Sequence, residues 1–190
     1  MDDHEQCRKE HLRRKGGISL ELTRDFLLRG PIWGTTIDKL APIFHTRTNY
    51  EIFMLCLAIG IMYDKRIPSF DDGENDPKNV PRNIIQNNDN GRIDVMLQAA
   101  ILTTASFNHL TEDQRLDLAF GEKKNDEEFD KYDFLLSFAN YGVTKLAECV
   151  GESEFESMEL IKSFLTKTLE GNNFEIDALP DELLLEDEEY

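Results

Sequence analysis

The chain has 190 residues, of which 40% are hydrophobic and 31% charged, with twelve Phe and a formal net charge of −17. This apolar content is enough for the buried core of a single domain and excludes wholesale disorder. The charge argues against bare nucleic acid or an anionic membrane as the main ligand, because the protein repels phosphate. A partner protein with a basic surface suits it better.

The charge is unevenly distributed along the chain. Residues 1–120 contain 15 Lys and Arg against 18 Asp and Glu, whereas residues 121–190 contain 6 against 20. One basic cluster stands near the N-terminus, formed by Arg8, Lys9, Arg13, Arg14 and Lys15. We favour a polar basic arm over residues 1–16 that balances an acidic body. The alternative is a phosphate-binding patch, which would suit a DNA-binding regulator.

The longest uncharged stretch predicts the central helix of the fold. Thr48 and Glu51 form a capping-box pattern, and no charged residue occurs from Ile52 to Tyr63. Such a helix, predicted over 49–63, is apolar nearly all round and is expected to be surrounded by other elements. It is too short to cross a bilayer, and the acidic N-terminus does not resemble a signal peptide, so we expect a cytoplasmic protein.

The rest of the chain predicts further helices. Residues 64–91 are rich in Asn, Asp, Pro and Gly and predict a long loop. A helix with Ile93, Leu97, Ala100 and Ile101 inward follows it, and a capping box at Thr111–Gln114 begins a short helix that ends before Gly121. Two longer helices are then expected, one beginning near Asp126–Glu128 and one running from Ser153 to Gly171.

These elements predict an all-α fold. We expect a compact single-domain bundle of about five to seven helices over residues 17–171, with a short N-terminal strand or arm at 17–22, where apolar residues alternate. Residues 172–190 form an acidic tail. Because this tail combines Leu183, Leu184 and Leu185 with eight carboxylates and no Lys or Arg, we expect it to dock on a basic-rimmed apolar groove of a partner.

No pattern in the sequence indicates catalysis, a metal or a cofactor. The four histidines, His4, His11, His45 and His109, lack metal-ligand spacing, and the acidic stretch 71–76 fails the EF-hand pattern. No phosphate-binding glycine loop is visible. The three cysteines are widely separated and fit a reducing compartment. We therefore expect a non-enzymatic protein, with a metal-dependent nuclease component as the less favoured alternative.

Two segments resemble a known family. "IFMLCLAIGIMYDKRIPSF", with Ala58, Gly60, Lys65, Arg66 and Pro68, and "YDFLLSFANYGVTKLAE", with Phe138, Ala139, Asn140 and Gly142, are similar to small accessory proteins associated with bacterial DNA phosphorothioation (Dnd-type) defence systems. The intervening "RIDVMLQAAILTTASFNHL" fits the middle helix of that family, so the resemblance covers roughly residues 35–150. A glycine doublet of the family is missing at Asn140–Val143, and the tail has no counterpart.

The resemblance implies an accessory protein of an anti-phage or DNA-modification locus and carries over no catalytic residue. It also draws attention to Asn140 and Gly142, which lie within an apolar helix face. One interpretation is a recognition surface for other defence-system proteins. The other, which we favour, is helix packing at Gly142 against Gly60, with Asn140 capping a neighbouring loop.

Overall fold

The computed structural model describes residues 23–44, 48–70, 77–121 and 129–171. The basic arm, the alternating segment 17–22 and the acidic tail lie outside these residues, so the predictions made for them stay predictions. The chain divides into two compact units, residues 1–148 and residues 149–190.

Seven α-helices and two short strands make up the described part of the chain. The strands are β1 (Phe26–Leu28) and β2 (Lys78–Val80). The helices are α1 (Pro31–Phe44), α2 (Thr48–Met62), α3 (Arg82–Asn88), α4 (Arg92–Thr103), α5 (Glu112–Phe120), α6 (Lys131–Ala147) and α7 (Glu154–Gly171), with a 3₁₀ turn at Ala105–Phe107. The predicted mostly helical fold is therefore confirmed.

Helix α2 is central to the first unit, as predicted. It packs along α6, and it also contacts α1, α4 and β2. Its fully buried side chains include Phe53, Cys56 and Leu57. The helix is not enclosed on every side, however, because Ala58 is exposed. The expectation that other elements surround it completely is corrected to this extent, since a small apolar residue is readily tolerated in water.

The contact between α2 and α6 depends on two glycines. A Cβ atom added to Gly142 would overlap the carbonyl group of Cys56, and one added to Gly60 would overlap the carbonyl group of Phe138. The two backbones therefore touch directly, each through a glycine of one helix and the main chain of the other. Gly60 and Gly142 are therefore packing residues, as predicted, but the predicted contact of one glycine with the other is corrected: Gly142 faces Cys56 and Gly60 faces Phe138.

The segment 64–91 contains structure that the sequence did not predict. Strand β2 pairs antiparallel with β1, with Phe26 opposite Val80 and Leu28 opposite Lys78, and helix α3 follows at once. The prediction of one long loop is therefore corrected. A strand of three residues and a helix of seven are too short to show a periodic pattern, and their Asn residues and the adjacent Pro77 and Pro81 favour turns in isolation.

Helix ends show which local signals are reliable. Thr111 and Gln114 form the predicted capping box of α5, and the four inward residues predicted for α4 are all buried. Helix α6 begins at Lys131, where the carboxylate of Asp130 accepts from the amides of Tyr132 and Asp133. At α7, Ser153 Oγ accepts from the amide of Glu156 at 3.1 Å. These caps satisfy amides that have no partner within the helix.

Candidate binding cleft

A cleft of about 320 Å³ lies in the first unit, between the segment that includes β1, residues 68–70 and α6. Its lining comes from three parts of the chain: Arg24, Asp25, Phe26, Leu27 and Arg29; Pro68, Ser69 and Phe70; and Tyr132, Asp133, Leu136 and Asn140. These parts are far apart in sequence, and the tertiary fold brings them together. The cleft mixes apolar and charged residues.

Tyr132 joins the β1 segment to α6. Its hydroxyl accepts hydrogen bonds from the backbone amides of Thr23, at 2.6 Å, and Arg24, at 3.3 Å. Its ring packs on Phe26, with centroids 4.9 Å apart, and the guanidinium of Arg24 lies 4.9 Å from the ring centroid. The tyrosine thus holds one wall of the cleft against the other, using both its polar and its apolar atoms.

Arg24 also binds the start of α6 through its charge. Its Nη2 atom lies 2.8 Å from Asp130 Oδ2 and 3.0 Å from Asp133 Oδ1. All three side chains are about half exposed or more, so these ion pairs contribute little to the free energy of unfolding. Their effect is to orient the guanidinium at the rim of the cleft.

Asp25 connects β1 with the element that follows β2. Its Oδ1 accepts from the amide of Arg82, the first residue of α3, at 2.8 Å, and its Oδ2 accepts from Asn79 Nδ2 at 2.9 Å. The hydrogen bond from the Arg82 amide, followed by that from Asn79, lowers the pKa of Asp25. The carboxylate is therefore ionised at neutral pH and acts as an external cap for α3.

Asn140 lies at the inner end of the cleft with 3% of its surface exposed. Its Oδ1 accepts from Trp33 Nε1 at 2.9 Å, and its Nδ2 donates to the carbonyl oxygen of Ile67 at 3.0 Å. The amide of Ile67 in turn donates to the carbonyl of Ser137 at 2.9 Å. The predicted capping of a neighbouring loop by Asn140 is therefore what the structure shows. Gly142 contacts Cys56 in the interior, so of the two residues only Asn140 lines the cleft.

Gly30 allows residues 68–70 to pack closely against the turn after β1. Gly30 has φ +96°, a conformation that side chains with a Cβ rarely adopt, and an added Cβ would lie 2.9 Å from the Cβ of Phe70. Phe70 therefore sits directly on the turn between β1 and α1. The close approach and the positive φ both require glycine at this position.

A buried pair of polar side chains, Tyr50 and Asp89, lies near the N-terminal end of α2. The hydroxyl of Tyr50 donates to Asp89 Oδ1 at 2.5 Å, and the same carboxylate accepts from the amide of Ile93 near the start of α4. Burial, together with the hydrogen bond to Asp89, raises the pKa of Tyr50 well above its ordinary value. The guanidinium of Arg92 lies 5.2 Å from the Tyr50 ring centroid. This group ties α2 to α4 and is closed to solvent.

In the ranges from 23 to 171 that the structure describes, no cluster of His, Cys, Asp and Glu is placed to hold a metal ion. The same ranges contain no helix long and apolar enough to span a membrane. Burial raises the pKa of the Cys56 thiol, which keeps it protonated and unreactive.

No protein-family model, curated protein or solved structure matches the chain.

The sequence predicted Asn140 but not the cleft that it lines. An Asn within an apolar helix face indicates a structural hydrogen bond, because a buried amide needs partners, and Asn140 shows this pattern in the sequence. Tyr132, Arg24 and Phe70 have no such local signal, because their common position results from the tertiary fold. The predicted site residues Leu183, Leu184, Leu185, Arg8, Lys9, Arg13, Arg14 and Lys15 all lie outside the described residues.

Proposed function

We propose that the protein is a non-enzymatic accessory protein of a bacterial DNA-modification or anti-phage defence system, and that it binds other proteins of that system through the cleft. The resemblance of residues 35–150 to accessory proteins of Dnd-type systems supports the cellular context. The form of the cleft supports binding as the activity.

The proposal rests on one observation: the polar groups around the cleft are hydrogen-bonded to the protein itself. The hydroxyl of Tyr132, the amide of Asn140 and the carboxylate of Asp25 are all hydrogen-bonded to other parts of the fold. A general acid, base or nucleophile needs a polar group directed at its substrate. Here these groups hold the walls in place, and apolar side chains such as Leu27 and Leu136 line the space between them.

The size and charge of the cleft indicate the kind of ligand. About 320 Å³ is near the lower limit for pockets that enclose a small molecule, and it suits a few side chains of a partner protein. The apolar lining supplies affinity, and the charged rim limits which sequences fit. The net charge of −17 attracts a partner with a basic surface and accelerates the encounter.

A pair of matched leucine substitutions tests the proposal. Leu27 lines the cleft and is 38% exposed, while Leu116 of α5 lies outside it and is 43% exposed. Tagged wild-type, Leu27→Glu and Leu116→Glu proteins are used for capture from the native host at physiological salt. We expect the wild type and Leu116→Glu to retain products of neighbouring defence genes and Leu27→Glu to retain at least tenfold less, because it would bury a charge against the partner.

Two results would contradict the proposal. One is the recovery of no neighbouring gene product by the wild type, and the other is equal recovery by the two glutamate variants. Duplex DNA binding at low salt that is lost in Arg13→Ala/Arg14→Ala, without any captured protein, would support the DNA-binding alternative instead.

A further inference from the structure

Helix α7, in the second unit, exposes two large apolar side chains next to each other. Phe155 is 73% exposed and Met158 is 50% exposed. Residues three apart on a helix are neighbours on its surface, so these side chains form one continuous apolar area. Ile161, further along the same helix, is buried, so the apolar residues of α7 differ in their exposure.

Carboxylates border this apolar area. Glu154 precedes Met158 by four residues, and Glu159 follows Phe155 by four, so one carboxylate stands beside each apolar residue. Both are exposed, and within the described ranges neither is ion-paired with Lys or Arg. Lys162 follows Met158 by four residues and adds one positive charge at the far end. We call Glu154, Phe155, Met158 and Glu159 the α7 face.

We propose that the α7 face is a docking surface for an amphipathic helix of a partner protein whose apolar stripe is bordered by Lys or Arg. Charge complementarity selects this occupant. The apolar side chains of the partner cover Phe155 and Met158, and its cations lie beside Glu154 and Glu159. The α7 face is a separate site from the cleft, and its use does not depend on the function proposed for the cleft.

Other occupants fit the charges less well. In a symmetric dimer the same surface meets itself, so the carboxylates of two α7 faces would approach one another and oppose association. An anionic membrane would be repelled by the same residues. A cationic amphipathic helix satisfies both the apolar area and the charges around it, because its apolar stripe packs on Phe155 and Met158 as paired helices pack in a coiled coil.

The test uses the full chain and two synthetic peptides of 18 residues made only of Leu and Lys. One peptide places its leucines on a single helix face, and the other has the same composition with its leucines spread around the helix. Affinities are measured by fluorescence anisotropy in 150 mM salt. We expect the wild type to bind the amphipathic peptide at least tenfold more tightly than the spread peptide, because only the first can cover both apolar side chains at once.

Variants assign the binding to α7. Phe155→Ser/Met158→Ser should lose the tenfold preference, whereas Leu116→Ser/Phe120→Ser, which changes two α5 residues of 43% and 45% exposure, should keep it. Glu154→Gln/Glu159→Gln should keep the preference but bind both peptides more weakly and with a smaller salt dependence. Because Leu27 and the rest of the cleft are unchanged in Phe155→Ser/Met158→Ser, loss of the preference in that variant separates this proposal from the one for the cleft.

Several results would overturn the proposal. Equal affinity of the wild type for the two peptides, or an unchanged preference in Phe155→Ser/Met158→Ser, would exclude the α7 face as the docking surface. Sedimentation of the protein alone as a dimer that this double variant dissociates would assign the face to a second copy. Should the serine variant lose its helical circular dichroism, unchanged salt dependence in Glu154→Gln/Glu159→Gln would overturn the proposal by itself.

Discussion

Helices α2 and α7 have similar lengths but opposite relations to solvent. Helix α2 touches α6 backbone to backbone and keeps residues such as Phe53 and Leu57 fully buried. Helix α7 leaves Phe155 and Met158 in water. The difference indicates that the neighbours of α2 determine stability, whereas much of the α7 surface can change at little cost to folding.

The double variant Phe155→Ser/Met158→Ser serves as the reference for the other substitutions. We expect it to change the free energy of unfolding by no more than about 0.5 kcal/mol.

The largest effect is expected at the glycine contact between α2 and α6. Gly142→Ala would place a methyl group on the carbonyl of Cys56, and the two helices would have to separate. We expect a loss of about 3 kcal/mol or more in the free energy of unfolding, or failure to fold, measured by chemical denaturation. Gly34→Ala in α1 is the control, because its nearest neighbour, Lys78 Cε, is 4.0 Å away. This control should be neutral or gain about 0.5–1 kcal/mol. Equal stability of the two variants would disprove the contact.

The next effect is expected at the inner end of the cleft. Asn140→Ala leaves the buried Trp33 Nε1–H and the carbonyl of Ile67 without their partner. Since each unsatisfied group costs about 1–3 kcal/mol, we expect a loss of about 3 kcal/mol, measured by urea denaturation. Asn88→Ala removes one hydrogen bond within α3 and should cost no more than about 1 kcal/mol. If Asn140→Ala is as stable as that control, the asparagine does not hold the wall of the cleft.

The smallest effect is expected at the Tyr50–Asp89 pair and depends on pH. Tyr50→Phe removes one hydrogen bond to a buried carboxylate and should cost about 2 kcal/mol near pH 8. The raised pKa of Tyr50 keeps its phenol neutral in the folded state, while the unfolded chain ionises above about pH 10. Above pH 10 the wild type therefore loses stability that the Phe variant keeps. The difference in the free energy of unfolding between the two proteins should shrink by about 1.4 kcal/mol per pH unit above pH 10. Melting temperatures from pH 8 to 11 measure this, and a constant gap would contradict a buried, hydrogen-bonded phenol.

The sequence predicted the features that have a local cause. Helices α2, α4 and α5 follow from apolar spacing and from caps such as Thr111, and the role of Asn140 follows from its place on an apolar face. Helix α6 was predicted, but its start at Asp130 was not, because the preceding carboxylates at 126–128 carry the same signal. Strand β2 depends on its pairing with β1, and the cleft depends on chain segments that are distant in sequence. Neither contact leaves a local pattern in the sequence, so neither was predicted.

The glycine contact also has a consequence for synthesis on the ribosome. About 70 residues separate the end of α2 at Met62 from the start of α6 at Lys131. At translation rates of roughly 5–20 residues per second, α2 emerges roughly 4–14 seconds before the helix that covers it. During this time the uncharged stretch from Ile52 to Tyr63 lacks the helix that covers it and is exposed to water or to a chaperone. Slower translation between α2 and α6 should therefore increase aggregation of the nascent chain, and the yield of folded protein should depend on the codons of that interval.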